Sequence, residues 1–86
     1  MINQEDNPVA WTLLVQELIE AHEHLGDLVE SLSQDRRIVE RKHSVDFAHI
    51  YAHLNRAWNS RNTREELTEE QWANFRKYPT DLEPLV

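Results

Sequence analysis

The chain has 86 residues, 16 of them acidic and 9 basic, for a formal net charge of −7. That length holds one hydrophobic core, and the carboxylate excess opposes adhesion to phosphate backbones, which needs clustered Lys and Arg, so nucleic acid is not an expected partner. With no cysteine and one glycine, disulfides, thiolate metal sites, cysteine nucleophiles and glycine-rich phosphate loops are excluded.

No apolar run reaches the roughly 18 residues of a membrane span, so no membrane partner is expected. Met1 to Asn7 reads as a polar arm rather than a signal peptide, and the expected location is cytoplasmic. Asn7 as N-cap with Pro8 at N1 predicts a helix from Pro8 to about Leu32. Trp11, Leu14, Val15, Leu18, Ala21, His22, Leu25, Leu28, Val29 and Leu32 recur at intervals of three and four along one apolar stripe. A subset keeps the strict alternation of a coiled-coil seam, so near-parallel or antiparallel helical neighbours are expected. Gly26 interrupts this helix at a cost of about 1 kcal/mol relative to alanine, which close approach of another backbone would offset.

Residues 34–43 carry no glycine or proline and read as a connection, with a helix already under way at Asp35 as the competing reading. A second helix is predicted from Ser44, its N-cap, to Asn59, with Phe47, Ile50, Tyr51, Leu54 and Trp58 on one face. Asn59, Ser60, Asn62 and Thr63 form a polar break. A third helix starts at Thr68, where Gln71 completes a capping box and Leu67 and Trp72 occupy the positions of a hydrophobic staple. Arg76 and Lys77 suit its C-terminal end, Pro79 stops it, and residues 79–86 read as an extended tail.

Three groups of side chains carry chemistry. Asp46, His49 and His53 share a face of the second helix at metal-ligand spacing, but about 100° per residue points them away from the aromatic stripe, toward solvent or a second packing surface. His22 falls inside the apolar stripe of the first helix and is the candidate buried polar group, whereas His24 falls on the other side. Glu17, Glu20, Glu23 and Asp27 read as a solvated acidic face. The stretch Glu23 to Leu28 departs from the Mg²⁺-binding helix of all-α nucleotide pyrophosphohydrolases, which has an acid where this chain has His24. Arg36, Arg37, Arg41 and Lys42 make a locally basic segment, open to an anionic partner.

The run from His49 to Asn62, His-Ile-Tyr-Ala-His-Leu-Asn-Arg-Ala-Trp-Asn-Ser-Arg-Asn, resembles a segment of small uncharacterised helical proteins of cyanobacteria. The resemblance implies no activity or ligand. It does suggest that Asn55, Asn59, Arg61 and Asn62 cap the helix and tie down the next segment of the chain.

The expected fold is all-α: a single domain over residues 1–86, built as a long helical hairpin with a short third helix, two copies pairing into a four-helix bundle. The leading functional expectation is a non-catalytic interaction module whose partner is another protein or a second copy, with no cofactor. The alternative is a metal-binding protein or metal-dependent enzyme using Asp46, His49 and His53.

Overall fold

The computed structural model describes residues 1–35 and 37–85, which form α1 (Pro8–Gln34), α2 (Glu40–Asn59) and α3 (Glu69–Asn74). The all-α expectation is met. Contacts such as Glu17 with His53 and His24 with His49 set α1 and α2 antiparallel, as a hairpin. No helix is long and apolar enough among the described residues to cross a membrane.

Asn7 occupies the N-cap of α1 but makes no side-chain cap bond. Its side chain faces back into the preceding turn, where Asn7 Oδ1 accepts from the Asn3 N–H at 3.4 Å and Asn3 Oδ1 accepts from the Asp6 N–H at 2.8 Å. α2 begins at Glu40, four residues before the expected Ser44, with Val39 at the N-cap and Ser44 exposed inside the helix. Glu40 supplies the negative charge favoured in a first turn. The connection thus shrinks to the few residues between Gln34 and Glu40.

The seam between the helices follows only one edge of each predicted apolar stripe. α1 buries Leu14, Glu17, Ala21 and Leu28 there and α2 buries Ile50, His53 and Ala57, while Asn55 is buried on the other side of α2. Leu18, Leu25, Val29 and Leu32 of α1 and Phe47, Tyr51 and Leu54 of α2 remain 41 to 56% exposed. Each stripe is wider than one neighbouring helix can cover, so only one flank of each is used. Ala21 and Ala57 on that flank permit close approach of the backbones, and Leu14, Leu28 and Ile50 fill the remaining space.

At the open end of the hairpin, Ile2, Leu14 and Ala57 form a buried cluster with Ala10 and Trp11 packed against it. The polar arm Met1 to Asn7 is held against the hairpin through Ile2, which is 3% exposed and whose N–H donates to the Arg61 carbonyl at 2.8 Å.

The capping box at Thr68 and Gln71 forms as expected, at 3.0 and 3.1 Å. α3 ends at Asn74, however, so Arg76 and Lys77 lie beyond it rather than in its last turn. Their carbonyls serve instead as anchors for the exit of α2. Asn55 Nδ2 donates to Arg76 O at 2.8 Å, and Asn59 Nδ2 donates to Phe75 O and Lys77 O at 2.8 and 2.9 Å. Two of the asparagines singled out in the sequence thus tie the segment after α3 onto the back of α2.

The start of the tail is tied down as well. Trp58 Nε1 donates to Asp81 Oδ1 at 2.9 Å, Arg61 donates to Asp81 Oδ2 at 2.7 Å, and the Arg61 guanidinium lies 3.8 Å over the Trp58 ring. The indole hydrogen bond first, and the Arg61 hydrogen bond second, lower the Asp81 pKa below the ordinary 3.8. A lowered carboxylate contributes stability that is present above the ordinary value and lost as pH falls through the lowered one. The Trp58 indole N–H resonance is therefore expected to shift in acid below about pH 4, and Asp81→Asn to abolish that titration. A resonance that stays flat in the parent would mean that the clamp does not form in solution.

Candidate metal centre

Side chains with ligand chemistry line the flank of the hairpin beside its seam. On α1 the spacing Glu17, Glu20, His24, Asp27 keeps one row facing α2; on α2 Asp46, His49 and His53 do the same from the other side. Because the helices are antiparallel, the middle of one row meets the middle of the other. His24, His49 and His53 come together, each offering a ring nitrogen, with the three atoms within 4.8 Å of one another. The His53 ring stacks with both others, its centroid 5.0 Å from that of His49 and 5.3 Å from that of His24, while His24 and His49 are tilted at 38° with centroids 4.1 Å apart.

His53 is the buried member, at 6% exposure, and its two nitrogens have different surroundings. Nδ1 lies 2.6 Å from Glu17 Oε2, itself on a buried side chain, and 3.3 Å from Glu20 Oε2. Nε2 is buried with no hydrogen-bond partner. Against a carboxylate, which accepts, Nδ1 is the donor; in the neutral ring the Nε2 lone pair is then directed into the protein with no donor to meet it. Such an orphaned polar atom costs about 1 to 3 kcal/mol. A carboxylate, an imidazole and a free second nitrogen are also the arrangement in which metal-ligating histidines are oriented by an outer carboxylate.

His49 is exposed, and its ring stacks on that of His53. Partial desolvation first, then the neighbouring His24, His53 and Arg56, hold its pKa below the ordinary 6.5, with Glu20 opposing. The lowered value keeps His49 uncharged at neutral pH, with a lone pair available to a cation.

A hollow of about 210 Å³ adjoins the rings, lined by His24, Asp27, Ser31, Lys42, Asp46 and His49. Asp46 is thus near His49 but outside the close set of His24, His49 and His53; the expected trio of Asp46, His49 and His53 is rearranged, with His24 in place of the aspartate. On the far side of His53 a second close set, Glu17, Glu20 and His53, borders a larger groove that runs toward Leu13 and Trp72.

Several expectations are corrected here. His22 is exposed rather than buried, and His24 faces α2 rather than solvent. His53 is buried, because the face of α2 that meets α1 carries Ile50, His53 and Ala57 and not the aromatic stripe. Glu17 belongs to the interior, held there by His53, rather than to a solvated acidic face. Of the basic segment, Arg37, Arg41 and Lys42 are exposed, Lys42 also lining the hollow, while Arg36 lies outside the described residues. A signal for the missed members is present in the sequence: Glu17, Glu20 and His24 repeat at intervals of three and four, as the apolar residues do.

No protein-family model, curated protein or solved structure matches the chain.

Proposed function

We propose that the chain binds one divalent transition-metal ion between α1 and α2, with His24, His49 and His53 as ligands and Glu17 orienting His53. The observation that carries this reading is the buried Nε2 of His53, unpartnered while Glu17 holds Nδ1, beside two further imidazoles. Imidazole donors suit Zn²⁺, Cu²⁺, Ni²⁺ and Fe²⁺ rather than Mg²⁺ or Ca²⁺, which take oxygen ligands. A tetrahedral zinc at about 2.0 to 2.1 Å from each nitrogen needs nitrogens about 3.4 Å apart. Half-buried His24 and exposed His49 have the freedom to close that distance while His53 stays fixed.

Three histidines leave one position for water or for a carboxylate from the hollow, where Asp27 and Asp46 stand. The ion would bridge the two long helices of a chain with no disulfide, adding its binding free energy to folding. This reading departs from the expected absence of a cofactor and places the metal on a ligand set different from the one the sequence suggests.

Tag-free protein stripped with chelator should bind one equivalent of Zn²⁺ by calorimetry, and Co²⁺ should give the visible absorption of a tetrahedral site. His24→Ala and His49→Ala should each weaken Zn²⁺ binding at least tenfold, while His22→Ala, on an exposed position outside the cluster, should not change it. Absence of saturable binding, or equal binding in all three variants, would overturn the assignment.

A further inference from the structure

The flank of the hairpin opposite the histidines is covered by its own chain at one edge, where Tyr78 lies against Tyr51 with ring centroids 5.6 Å apart, and is otherwise open among the described residues. Leu18, Leu25, Val29 and Leu32 of α1 are 44, 49, 56 and 46% exposed, and Phe47, Tyr51 and Leu54 of α2 are 42, 43 and 41% exposed. At about 100° per residue, each row lies roughly 60 to 90° round its helix from the buried seam, in the same rotational sense. In antiparallel helices equal rotations carry both rows to the same side of the hairpin. The result is one continuous apolar face, whereas the histidines and their carboxylates rotate the opposite way.

We infer that this face is covered by a second copy of the chain, two hairpins forming an antiparallel four-helix bundle about a twofold axis parallel to the helices. Three observations favour a second copy. The first is shape: Leu18, Leu25 and Leu32 repeat every seven residues, as do Phe47 and Leu54, the spacing by which helices pack lengthwise on helices. A flat pair of antiparallel rows is complemented by the same pair turned through 180°, which sets α1 of one copy against α2 of the other.

The second is area. Side chains of these sizes, exposed to this degree, offer on the order of 600 to 700 Å² per chain, close to the about 800 Å² per partner of a standard interface. The third is charge. α1 contains Glu17, Glu20, Glu23, Asp27 and Glu30 but no lysine or arginine, while Arg41 and Lys42 stand in the first turn of α2. The twofold arrangement sets this acidic helix of one copy against the helix of the other that opens on Arg41 and Lys42, so opposite charges lie side by side. Gly26 lies next to the same face, and a Cβ added there meets nothing within 4 Å in its own chain. The helical cost of this glycine gains nothing within one chain; a second backbone approaching the face accounts for it.

Sedimentation equilibrium from about 1 to 100 micromolar tests this. The expected species has twice the chain's mass of 10.3 kDa. Leu25→Glu should give monomers, with circular dichroism checking that the helices persist. Gly26→Gln is the second variant, because its side chain has open space in the single chain and fits any helix; its dimer dissociation constant should rise at least tenfold without loss of helicity. A parent that remains monomeric at the highest concentration, or a dimer unchanged in both variants, would overturn the inference. Chelator should leave the mass unaltered, because the metal ligands lie on the other flank, so failure of the metal centre and failure of the dimer are separately visible.

Discussion

His53→Ala is expected to destabilise the folded chain by about 3 kcal/mol in the presence of chelator, because a buried acceptor left without its hydrogen-bond partner costs about 1 to 3 kcal/mol, and more when that acceptor is a carboxylate. Glu17 would be left inside the hairpin with its carboxylate unpaired, since His53 Nδ1 at 2.6 Å is the one hydrogen-bond partner of that side chain among the described residues. A chain of this size has on the order of 4 to 13 kcal/mol in total, so the variant should unfold at much lower urea or be partly unfolded in buffer. The companion test is Glu17→Leu combined with His53→Leu. Apolar residues of similar volume satisfy the seam without desolvating charge, and this double variant should be more stable than either single change while binding no Zn²⁺. If the double variant is less stable than both singles, the pair is not a polar defect in an otherwise apolar seam. Its retention would then need no explanation from metal binding.

Leu14→Ala should cost about 2 to 5 kcal/mol, the range for truncating a core leucine. Leu14 is 6% exposed and packs with Ile2 and Ala57 where the N-terminal segment crosses the end of α2. Loss of its side chain therefore loosens three segments at once. Leu18→Ala, one position round the same stripe, should change the stability of the dilute monomer by less than about 1 kcal/mol, because 44% of Leu18 is already in water. Urea melts at sub-micromolar concentration would separate the two variants. Equal losses would mean that the solvent-facing row is buried even in the single chain, and the hairpin seam would have to be redrawn.

Much of the fold is legible in the order of residues. Pro8 and its apolar stripe mark α1, and the Thr68 and Gln71 box marks α3, because local hydrogen bonding and backbone geometry set helix starts with no distant partner required. Asn55 and Asn59 stand out as residues that tie down a neighbouring segment, and both do, on carbonyls after α3. The start of α2 is not legible in this way, since Val39 offers no side-chain cap and Ser44, which could, is carried inside the helix.

What the sequence leaves undecided is the rotation of each long helix about its own axis, and the candidate site depends on that one variable. Periodicity locates the face of a helix that avoids water. It does not say which flank of a wide stripe a single neighbour will cover, because that depends on the length of the connection, on the small side chains Ala21 and Ala57 buried there, and on Ile2 closing the open end. Turning both helices toward the flank of Glu17 and His53 makes those two residues interior, puts His24 rather than His22 at the interface, and leaves Leu25 and Phe47 outside. Residue types and their three-four spacing belong to the chain itself; the meeting of His24 with His49 and His53 across the hairpin is decided by tertiary packing alone, because it joins rows on two helices whose relative register no local pattern encodes.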